Sequence, residues 1–424
     1  MPPEGPGRPA APAADALPVL HGIRVLDLGR YIAGPFCAAL LGDLGAEVTR
    51  IERIDGGEDR GVTPVAGDGT GALFLQVNRN KRCIALDIAR PEGQAVLRRQ
   101  VAQADVVVAN LPPPTLRRLG LDYETLAAIR PDIILTTTSA FGEGGPLGDR
   151  PGFDGVAQAM SGAMHLSGEP GRPAKLMVSC VDFATALAGA FGTLAALHER
   201  QRTGRGQQVS GSLLGTALTI ANNALIEEAL LHPGREAAGN RSPLGGPSDT
   251  FRVRDGWIIV QVMGDPLFRR WAALIGRPDL ADAPRFATDQ SRGDHGEELS
   301  ALMAAWCAGH DVESALSALA AARIPCGPVL APRQVLADPH IRASGAFRAL
   351  DYPGLPQPAP IARPPVSLSR TPPTIRRRAP QPGEHTEAIL AESGYDTAAI
   401  AALARAGIVR LAREPDAVPA AHPA

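Results

Sequence analysis

The sequence predicts an α/β protein, with a doubly wound parallel sheet in a large domain and a second, smaller α+β domain. Three observations lead to this prediction. The chain has 424 residues, more than one domain usually contains. From Ile23 onward, short β-branched runs alternate with helical segments, a pattern typical of parallel βαβ units. Near residue 245 the pattern changes to a hairpin-like segment that follows a loop rich in Gly and Pro.

The elements of the large domain follow one another at regular spacing. After the strand IRVLDL, Pro35 stands at the start and Gly45 near the end of the first helix. A strand-like stretch ends at Val181, and an apolar helix starts directly after Asp182. The segment RQRTGRGQQV is interpreted as a turn with a basic rim. Further strands are predicted at 47–53, 83–88, 105–110 and 132–138, and helices at 91–104, 122–130, about 183–200 and about 211–231.

The later part of the chain has a different pattern. Residues 250–262, TFRVRDGWIIVQV, are typical of a β-hairpin. Helices are predicted after it at 265–276 and 295–309, which together indicate the small α+β domain. Two more helices are predicted near the C-terminus, at 383–394 and 396–407.

Composition and charge argue against several classes of protein. The formal net charge is −2 with acids and bases interspersed, so we expect no nucleic-acid partner. No window approaches 18 continuous apolar residues, so we expect no membrane span. The five cysteines have no paired spacing, which fits a cytoplasmic protein, and the nine histidines are scattered, so we expect no metal site.

Basic residues near the predicted strand ends indicate an anionic ligand. Glu52 could bind a ribose hydroxyl, whereas Arg53 beside it could bind a sugar phosphate or simply be a solvated surface arginine. The segments VNRNKR (77–82) and NLPPPTLRR (110–118) carry further bases. Ligands of open α/β sheets collect at the carboxyl ends of strands, so a nucleotide-like ligand is predicted there. Gly29 and Gly34 do not fit the dinucleotide fingerprint, which disfavours an NAD-dependent dehydrogenase.

Two aspartates stand where a loop turns into an apolar helix, Asp154 in PGFDGVAQAMSG and Asp182 in KLMVSCVDFATALAG. An aspartate at such a position is usually an N-cap that accepts a hydrogen bond from the first turn. The local sequence therefore favours capping over catalysis for both residues.

The chain as a whole resembles family III CoA-transferases, which are related to alpha-methylacyl-CoA racemases. The resemblance runs from about Leu20 to Val409 through segments that occur in the family's order. They include GIRVLDLGRYIAGPF, VNRNKRCIALDIARPEG, GDRPGFDGVAQAMSG, VDFATALAG, TGRGQQV, IPCGPV, LADPHIRASG and GEHTEAIL.

The resemblance implies a Rossmann-like, CoA-binding large domain, completed by the C-terminal helices, and two chains interlocked as a homodimer. Pattern and resemblance together give a disordered tail at 1–19, a large domain at 20–210, a linker helix at 211–244, a small domain at 245–335, and a C-terminal linker with returning helices at 336–424. Coenzyme A would be carried by the substrates rather than held permanently.

The resemblance also implies the site residues. Asp182 would be the catalytic nucleophile, and Asp154 a supporting acid near the thiol end of CoA. The residues that would line the CoA site are Ile32, Ala33, Arg53, Leu86, Asn110 and Arg118. The implied reaction moves CoA from an acyl-CoA thioester to a carboxylic acid through an aspartyl–acyl mixed anhydride.

Three positions depart from the family pattern. Phe153 stands where the racemases carry a histidine base, which favours CoA transfer over racemisation. Leu111 replaces an aromatic residue and Ile32 a glutamine, which affects the expected details of CoA and acceptor binding. Two alternatives stay open: an acyl-CoA isomerase or racemase, including intramolecular CoA transfer, and a CoA-binding protein that has lost catalysis.

Overall fold

The computed structural model describes residues 17–412. Residues 1–16 of the predicted tail lie outside the described residues, while Pro18–His21 form a turn in which the His21 N–H donates to the Pro18 carbonyl. The chain forms two compact units. Within the described residues, the first contains 17–161, Leu176–Asn222 and 345–412, and the second contains Gly162–Lys175 and Asn223–Ser344.

The strands, numbered along the chain, are β1 Arg24–Asp27, β2 Glu47–Glu52, β3 Lys81–Leu86, β4 Val106–Ala109, β5 Ile134–Ser139, β6 Gly168–Glu169, β7 Arg172–Pro173, β8 Gln207–Ser212, β9 Ser248–Arg252, β10 Trp257–Gln261, β11 Cys326–Pro328, β12 Phe347–Leu350, β13 Ala359–Ala362 and β14 Val409–Arg410. The α-helices are α1 Ala33–Asp43, α2 Ala72–Val77, α3 Pro91–Val101, α4 Pro113–Leu119, α5 Tyr123–Ile129, α6 Asp154–Met160, α7 Cys180–Thr203, α8 Leu213–Leu231, α9 Asp265–Leu274, α10 Asp289–Asp294, α11 Gly296–Cys307, α12 Val312–Ala321, α13 Pro332–Ala337, α14 Pro339–Ala343, α15 Thr386–Glu392 and α16 Thr397–Arg405.

The first unit is built on a seven-stranded sheet with the order β14-β3-β2-β1-β4-β5-β8. Every pair in it is parallel except β14 with β3, so the predicted α/β class is confirmed. The strand order runs in opposite directions on the two sides of β1. In such sheets the crevice outside the carboxyl ends of the strands at this reversal is where ligands bind.

One strand of this sheet was predicted to be a turn. The polar segment QQVSGS within RQRTGRGQQV and its continuation forms β8, which pairs in parallel register with β5 from Ile134–Gln207 to Ser139–Ser212. It lies at the edge of the sheet and has a neighbouring strand on one side only. Such a strand is less enclosed than a central strand, so β8 lacks the apolar run of the central strands.

Helix α7 begins earlier and extends further than predicted, and the strand expected before it does not form. Leu176 and Met177 are exposed, and Ser179 occupies the N-cap position. The helix is long and apolar enough to cross a membrane by length and composition, a test that core helices of soluble proteins also pass. It packs against α1, β5 and β8, where Ala186, Ala190 and Ala196 are buried.

The second unit has its own core. The predicted hairpin at 250–262 is observed as β9 and β10, and β11 extends it into a three-stranded antiparallel sheet. Trp271 and Phe268 of α9 are fully buried beneath it. Residues 162–175 belong to this unit although they fall within the predicted large domain, because their β6–β7 hairpin is tied to the chain after α8, where Gly239 donates to the Gly168 carbonyl.

Candidate active site

Four helices of the first unit meet at one small apolar cluster. Its buried members are Ala33, Ala157, Val181, Leu213 and Ala217, from α1, α6, α7 and α8. Ala33 and Leu213 are the first residues of their helices, and Val181 is the second residue of α7. Helix N-termini carry partial positive charge and unsatisfied N–H groups, so this region favours carboxylates.

Asp154 provides the hydrogen-bond acceptor for the start of α7. Its carboxylate is 7% exposed, and its Oδ2 accepts from the Val181 N–H at 2.7 Å and from the Asp182 N–H at 3.0 Å. Its Oδ1 accepts from the side-chain amide of Gln158. The expectation that each aspartate caps its own helix is wrong, because the N-cap positions are Phe153 for α6 and Ser179 for α7. Asp154 instead caps the neighbouring helix.

Asp182 is the third residue of α7 and lines a cavity of about 200 Å³. Burial, and secondarily the negative charge of Asp154, raises the pKa of Asp182 from its ordinary value of 3.8 to about 7. A large fraction of Asp182 is therefore protonated near neutral pH. The remaining fraction is a poorly solvated carboxylate, which is the form a nucleophile requires.

The walls of this smaller cavity are mostly apolar, with two arginines. Phe153 meets Tyr31 edge-on, with ring centroids 5.5 Å apart, at the position where a second base would be needed for racemisation. Arg30 donates to Glu58 at 2.7 Å. Within residues 17–412, the Arg150 guanidinium has no hydrogen-bond or ion-pair partner, and as an exposed residue at the cavity it is free to meet an anion.

A larger cavity of about 810 Å³ adjoins the smaller one. The two share Arg30, Leu111 and Pro112 as lining residues, so they lie side by side, and we refer to them together as the groove. Of the predicted CoA-site residues, Arg53, Leu86 and Arg118 line the larger cavity. Both arginines are exposed, whereas the Leu86 side chain is buried in the core. The groove thus has two exposed arginines at one end, of which Arg53 lies 3.4 Å from the Asp55 carboxylate, and Asp182 at the other.

Asn110 holds the turn between β1 and α1. Its Oδ1 accepts from the Arg30 N–H at 2.7 Å, and its Nδ2 donates to the Arg30 carbonyl at 2.8 Å. Both polar groups of the side chain are therefore occupied by the protein, although Asn110 lines the smaller cavity. Ala33 also lines that cavity, whereas Ile32 is buried against the α1 core and lines neither cavity of the groove.

Two expected ligand-binding elements are buried ion pairs instead. Glu52 accepts from Arg60 at 2.7 Å, so it is not free for a ribose hydroxyl. The segment VNRNKR runs into the start of β3 rather than following a strand, and Lys81, the first residue of β3, donates to Asp27 at 2.7 Å with no exposure to solvent. Charges this deeply buried require partners, which the sequence does not identify. The third basic segment does lie at the carboxyl end of its strand, because it follows β4.

The buried ion pairs also hold the β1–α1 turn. The Arg50 guanidinium donates to the Gly29 carbonyl at 3.0 Å and to both carboxylate oxygens of Asp59. Asp59 in turn accepts from the Tyr31 N–H at 3.3 Å. Tyr31 has a φ of 60°, a left-handed conformation that non-glycine residues adopt only when their surroundings hold it. The network therefore fixes the wall of the smaller cavity.

Sequence reasoning missed two residues of this site, Gln158 and Arg150. Gln158 follows Asp154 by four positions, the spacing that places two side chains on the same face of a helix, so a pattern existed. Arg150 offered no comparable signal. Among residues 17–412, no group of three or more His, Cys, Asp or Glu side chains could hold a metal ion.

Comparisons with known proteins show what the whole chain is similar to. The chain is 35% identical over 376 residues to a succinyl-CoA–D-citramalate CoA-transferase of Chloroflexus aurantiacus, covering 88% of this chain and 93% of the relative. It is 32% identical over 410 residues to a succinyl-CoA:glutarate CoA-transferase of Mus musculus, covering 95% and 93%. The crystal structure of a CAIB/BAIF family protein from Brucella suis superposes with a TM-score of 0.78 at 34% identity, covering 89% of this chain and all of that chain.

The family model described as CoA-transferase family III matches residues 20–386. The match includes the β1–α1 turn, the Asp154 helix and the start of α7, the parts of the chain that form the groove. The chain therefore belongs to family III of the CoA-transferases and is a CoA-transferase.

Proposed function

We propose that this enzyme moves CoA from an acyl-CoA, with succinyl-CoA as the first candidate donor, to a dicarboxylic acid, using Asp182 as the nucleophile. The observation that carries the proposal is the groove itself. A poorly solvated carboxylate lies at one end, and two exposed arginines line the other. Such a groove suits a ligand with a phosphorylated nucleotide at one end and a thioester at the other.

The proposed reaction begins with attack of the Asp182 carboxylate on the acyl-CoA thioester. A C–O bond forms and the C–S bond breaks. CoA departs as the thiolate, and a mixed anhydride between Asp182 and the acyl group remains on the enzyme. The thiolate then attacks the Asp182 carbonyl and releases the donor acid, which leaves an aspartyl-CoA thioester. The acceptor carboxylate attacks that thioester to form a second anhydride, and the thiolate finally attacks the acceptor acyl carbon and frees Asp182. No water enters the sequence.

The N–H groups at the start of α7 are not available to stabilise the oxyanions of this reaction. The Val181 and Asp182 N–H groups already donate to Asp154. The start of α1 is the better source, because Ala33 lines the cavity and the first N–H groups of a helix have no partner within it. We propose that α1 supplies this stabilisation.

The arginines of the larger cavity would bind the phosphates of CoA. We predict that Arg53→Ala and Arg118→Ala each raise the KM for acyl-CoA by about tenfold and change kcat little. The reason is that loss of a charge-assisted hydrogen bond to a phosphate weakens the binding of the acyl-CoA and the binding of the transition state equally. Steady-state kinetics at varied acyl-CoA tests this. Arg269→Ala, an exposed arginine of the second unit, is the control. A drop in kcat with unchanged KM would argue against phosphate binding.

Arg150 is the proposed partner of the acceptor's second carboxylate. The relatives above are named for succinyl-CoA together with D-citramalate or glutarate, and these acids carry two carboxylates. A second charge in a mostly apolar cavity needs a cation, and Arg150 is the one without a partner. We predict that Arg150→Gln raises the KM for dicarboxylic acceptors by about tenfold and leaves monocarboxylic acceptors unaffected. Equal losses for both acids would contradict this role, and Arg205→Gln serves as the control.

A donor–acceptor screen read by mass spectrometry tests the proposed function. We expect CoA exchange between succinyl-CoA and at least one C4 to C6 dicarboxylic acid, with no net loss of thioester. Failure with all acids would refute it. Incubation of a chiral 2-methylacyl-CoA in deuterium oxide examines the isomerase alternative, and alpha-deuterium incorporation would favour that alternative over transfer.

We further propose a Rossmann-like large domain and a cytoplasmic, interlocked homodimer. The exposed apolar side chains of α7 and α8 support the dimer, because a monomer would leave them in water. Phe191 is 75% exposed, and Leu230 and Leu231 are 73% exposed. Large apolar side chains with this much exposure are typical of an interface between proteins.

A further inference from the structure

The side-chain amide of Gln158 connects Asp154 with the chain segment that leads into α7. It lies on α6 one turn after Asp154 and is 5% exposed. Its Nε2 donates to Asp154 Oδ1, and its Oε1 accepts from the Leu176 N–H at 2.9 Å. Leu176 is the residue at which the chain re-enters the first unit before α7. The mechanism proposed above assigns no role to this amide.

The orientation of the amide is fixed by its partners. The Asp154 carboxylate can only accept at Oδ1, and the Leu176 N–H can only donate, so a flipped amide would lose both hydrogen bonds. With Gln158 holding Oδ1, the other oxygen of Asp154 faces the start of α7 and receives two N–H donors. The amide therefore determines where the Asp154 charge lies relative to Asp182.

We propose that Gln158 is a positioning residue for CoA transfer: it holds the Asp154 carboxylate against the first turn of α7, and thereby sets the orientation and ionisation of Asp182. This inference rests on the proposed function, in which Asp182 is the nucleophile. Gln158 itself does not touch the cavity that Asp182 lines.

The charged and titratable groups near Asp182 leave Asp154 as the dominant influence besides burial. Asp154 faces it from α6, and Cys180 belongs to its own helix. The remaining charged or titratable groups belong to the β1–α1 turn and to neighbouring segments that line the same cavity. They are Arg30, Tyr31, Glu58 and Arg150. Helices α1 and α8 contribute only Ala33 and Leu213 to that cavity. Moving the Asp154 charge should therefore change the pH dependence of the reaction.

The test exchanges the acid and the amide. In Asp154→Asn the new amide would face the Gln158 amide donor to donor, and in Gln158→Glu two carboxylates would face each other. The double variant Asp154→Asn, Gln158→Glu restores one donor and one acceptor, and the carboxylate introduced at position 158 can still accept from the Leu176 N–H. It also places the negative charge one hydrogen bond further from the start of α7.

We expect a lower kcat in each single variant. The kcat of the double variant should be about tenfold higher than the product of the two single effects predicts. The acid limb of kcat/KM, which reports the ionisation of Asp182 in the free enzyme, should lie at lower pH in the double variant than in the wild type. Gln100→Glu is the matched control. Gln100 is also buried and donates to Ser393, and its change should lower stability without moving the pH profile.

A purely structural role predicts a different pattern. Additive losses, or recovery without a shift of the acid limb, would overturn the inference. The Asp182 carboxyl can also be titrated directly by carbon NMR of carboxyl-labelled aspartate, without substrate. If no acid supports transfer, the proposed function fails while this titration still tests Gln158. An unchanged Asp182 pKa in an active, folded double variant would refute the inference alone.

Discussion

We expect Asp182→Ala to abolish CoA transfer, by at least about a thousandfold in kcat, while acyl-CoA still binds. The smaller cavity is lined by two acidic side chains, Asp182 and Glu58, and Glu58 accepts a hydrogen bond from Arg30. Without the Asp182 carboxylate the thioester has no enzyme nucleophile, and the reaction cannot pass through an anhydride on the protein. The larger cavity, where we propose that the nucleotide end binds, does not include Asp182 among its lining residues, so we expect binding to survive.

Isothermal titration with CoA and a transfer assay measure the two effects separately. Asp396→Asn is the control, because Asp396 is an N-cap on α16 and asparagine caps a helix equally well. We expect wild-type turnover for that variant. Near-normal turnover of Asp182→Ala would sink the mechanism, and loss of CoA binding would show that the residue shapes the groove instead.

We expect Asp182→Asn to stabilise the protein at alkaline pH, by several degrees in Tm, and to have almost no effect near pH 4. The pKa of Asp182 is about 7 in the folded protein and 3.8 by its ordinary value. The folded state therefore binds the proton more tightly than the unfolded chain does, and wild-type stability falls as pH rises between these two values. Below this window the group is neutral in both states, and above it the full cost of the buried charge is present. Asparagine never carries that charge.

Thermal unfolding of the wild type and Asp182→Asn across this pH range measures the difference. The gap in Tm should open between about pH 4 and pH 7 and then stay constant. A gap independent of pH would mean that the two side chains differ in packing alone. A variant less stable at alkaline pH would contradict the burial of an unfavourable charge.

Much of the fold is predictable from the sequence because strand and helix periods differ. The β-branched runs of β1, β2, β4 and β5 alternate with apolar helices, and this alternation fixes a parallel sheet. Strand β8 was missed because an edge strand carries no apolar signature. Lys81 was misassigned because a basic residue at a strand start looks the same in sequence whether it faces solvent or a buried carboxylate such as Asp27.

The candidate site was predictable only where resemblance supplied positions. Resemblance pointed to Asp182, but the hydrogen bonds from α7 to Asp154 join residues 27 and 28 positions apart, which no local pattern encodes. The raised pKa of Asp182 likewise results from burial and from a neighbour on another helix. Distances of this kind arise from the packing of α6 against α7, which only the folded structure provides.

The central claim is that Asp182 carries the acyl group, and oxygen labelling tests it most directly. In the proposed sequence the bridging oxygen of the second anhydride comes from the acceptor acid and stays with Asp182 when CoA thiolate attacks. The wild-type enzyme is incubated with acyl-CoA and an acceptor labelled with ¹⁸O in its carboxylates. The mass of the peptide that contains Asp182 is then measured. After a single turnover, we expect a peptide about 2 Da heavier. An unlabelled Asp182 peptide, with the label found only in the released donor acid, would contradict it.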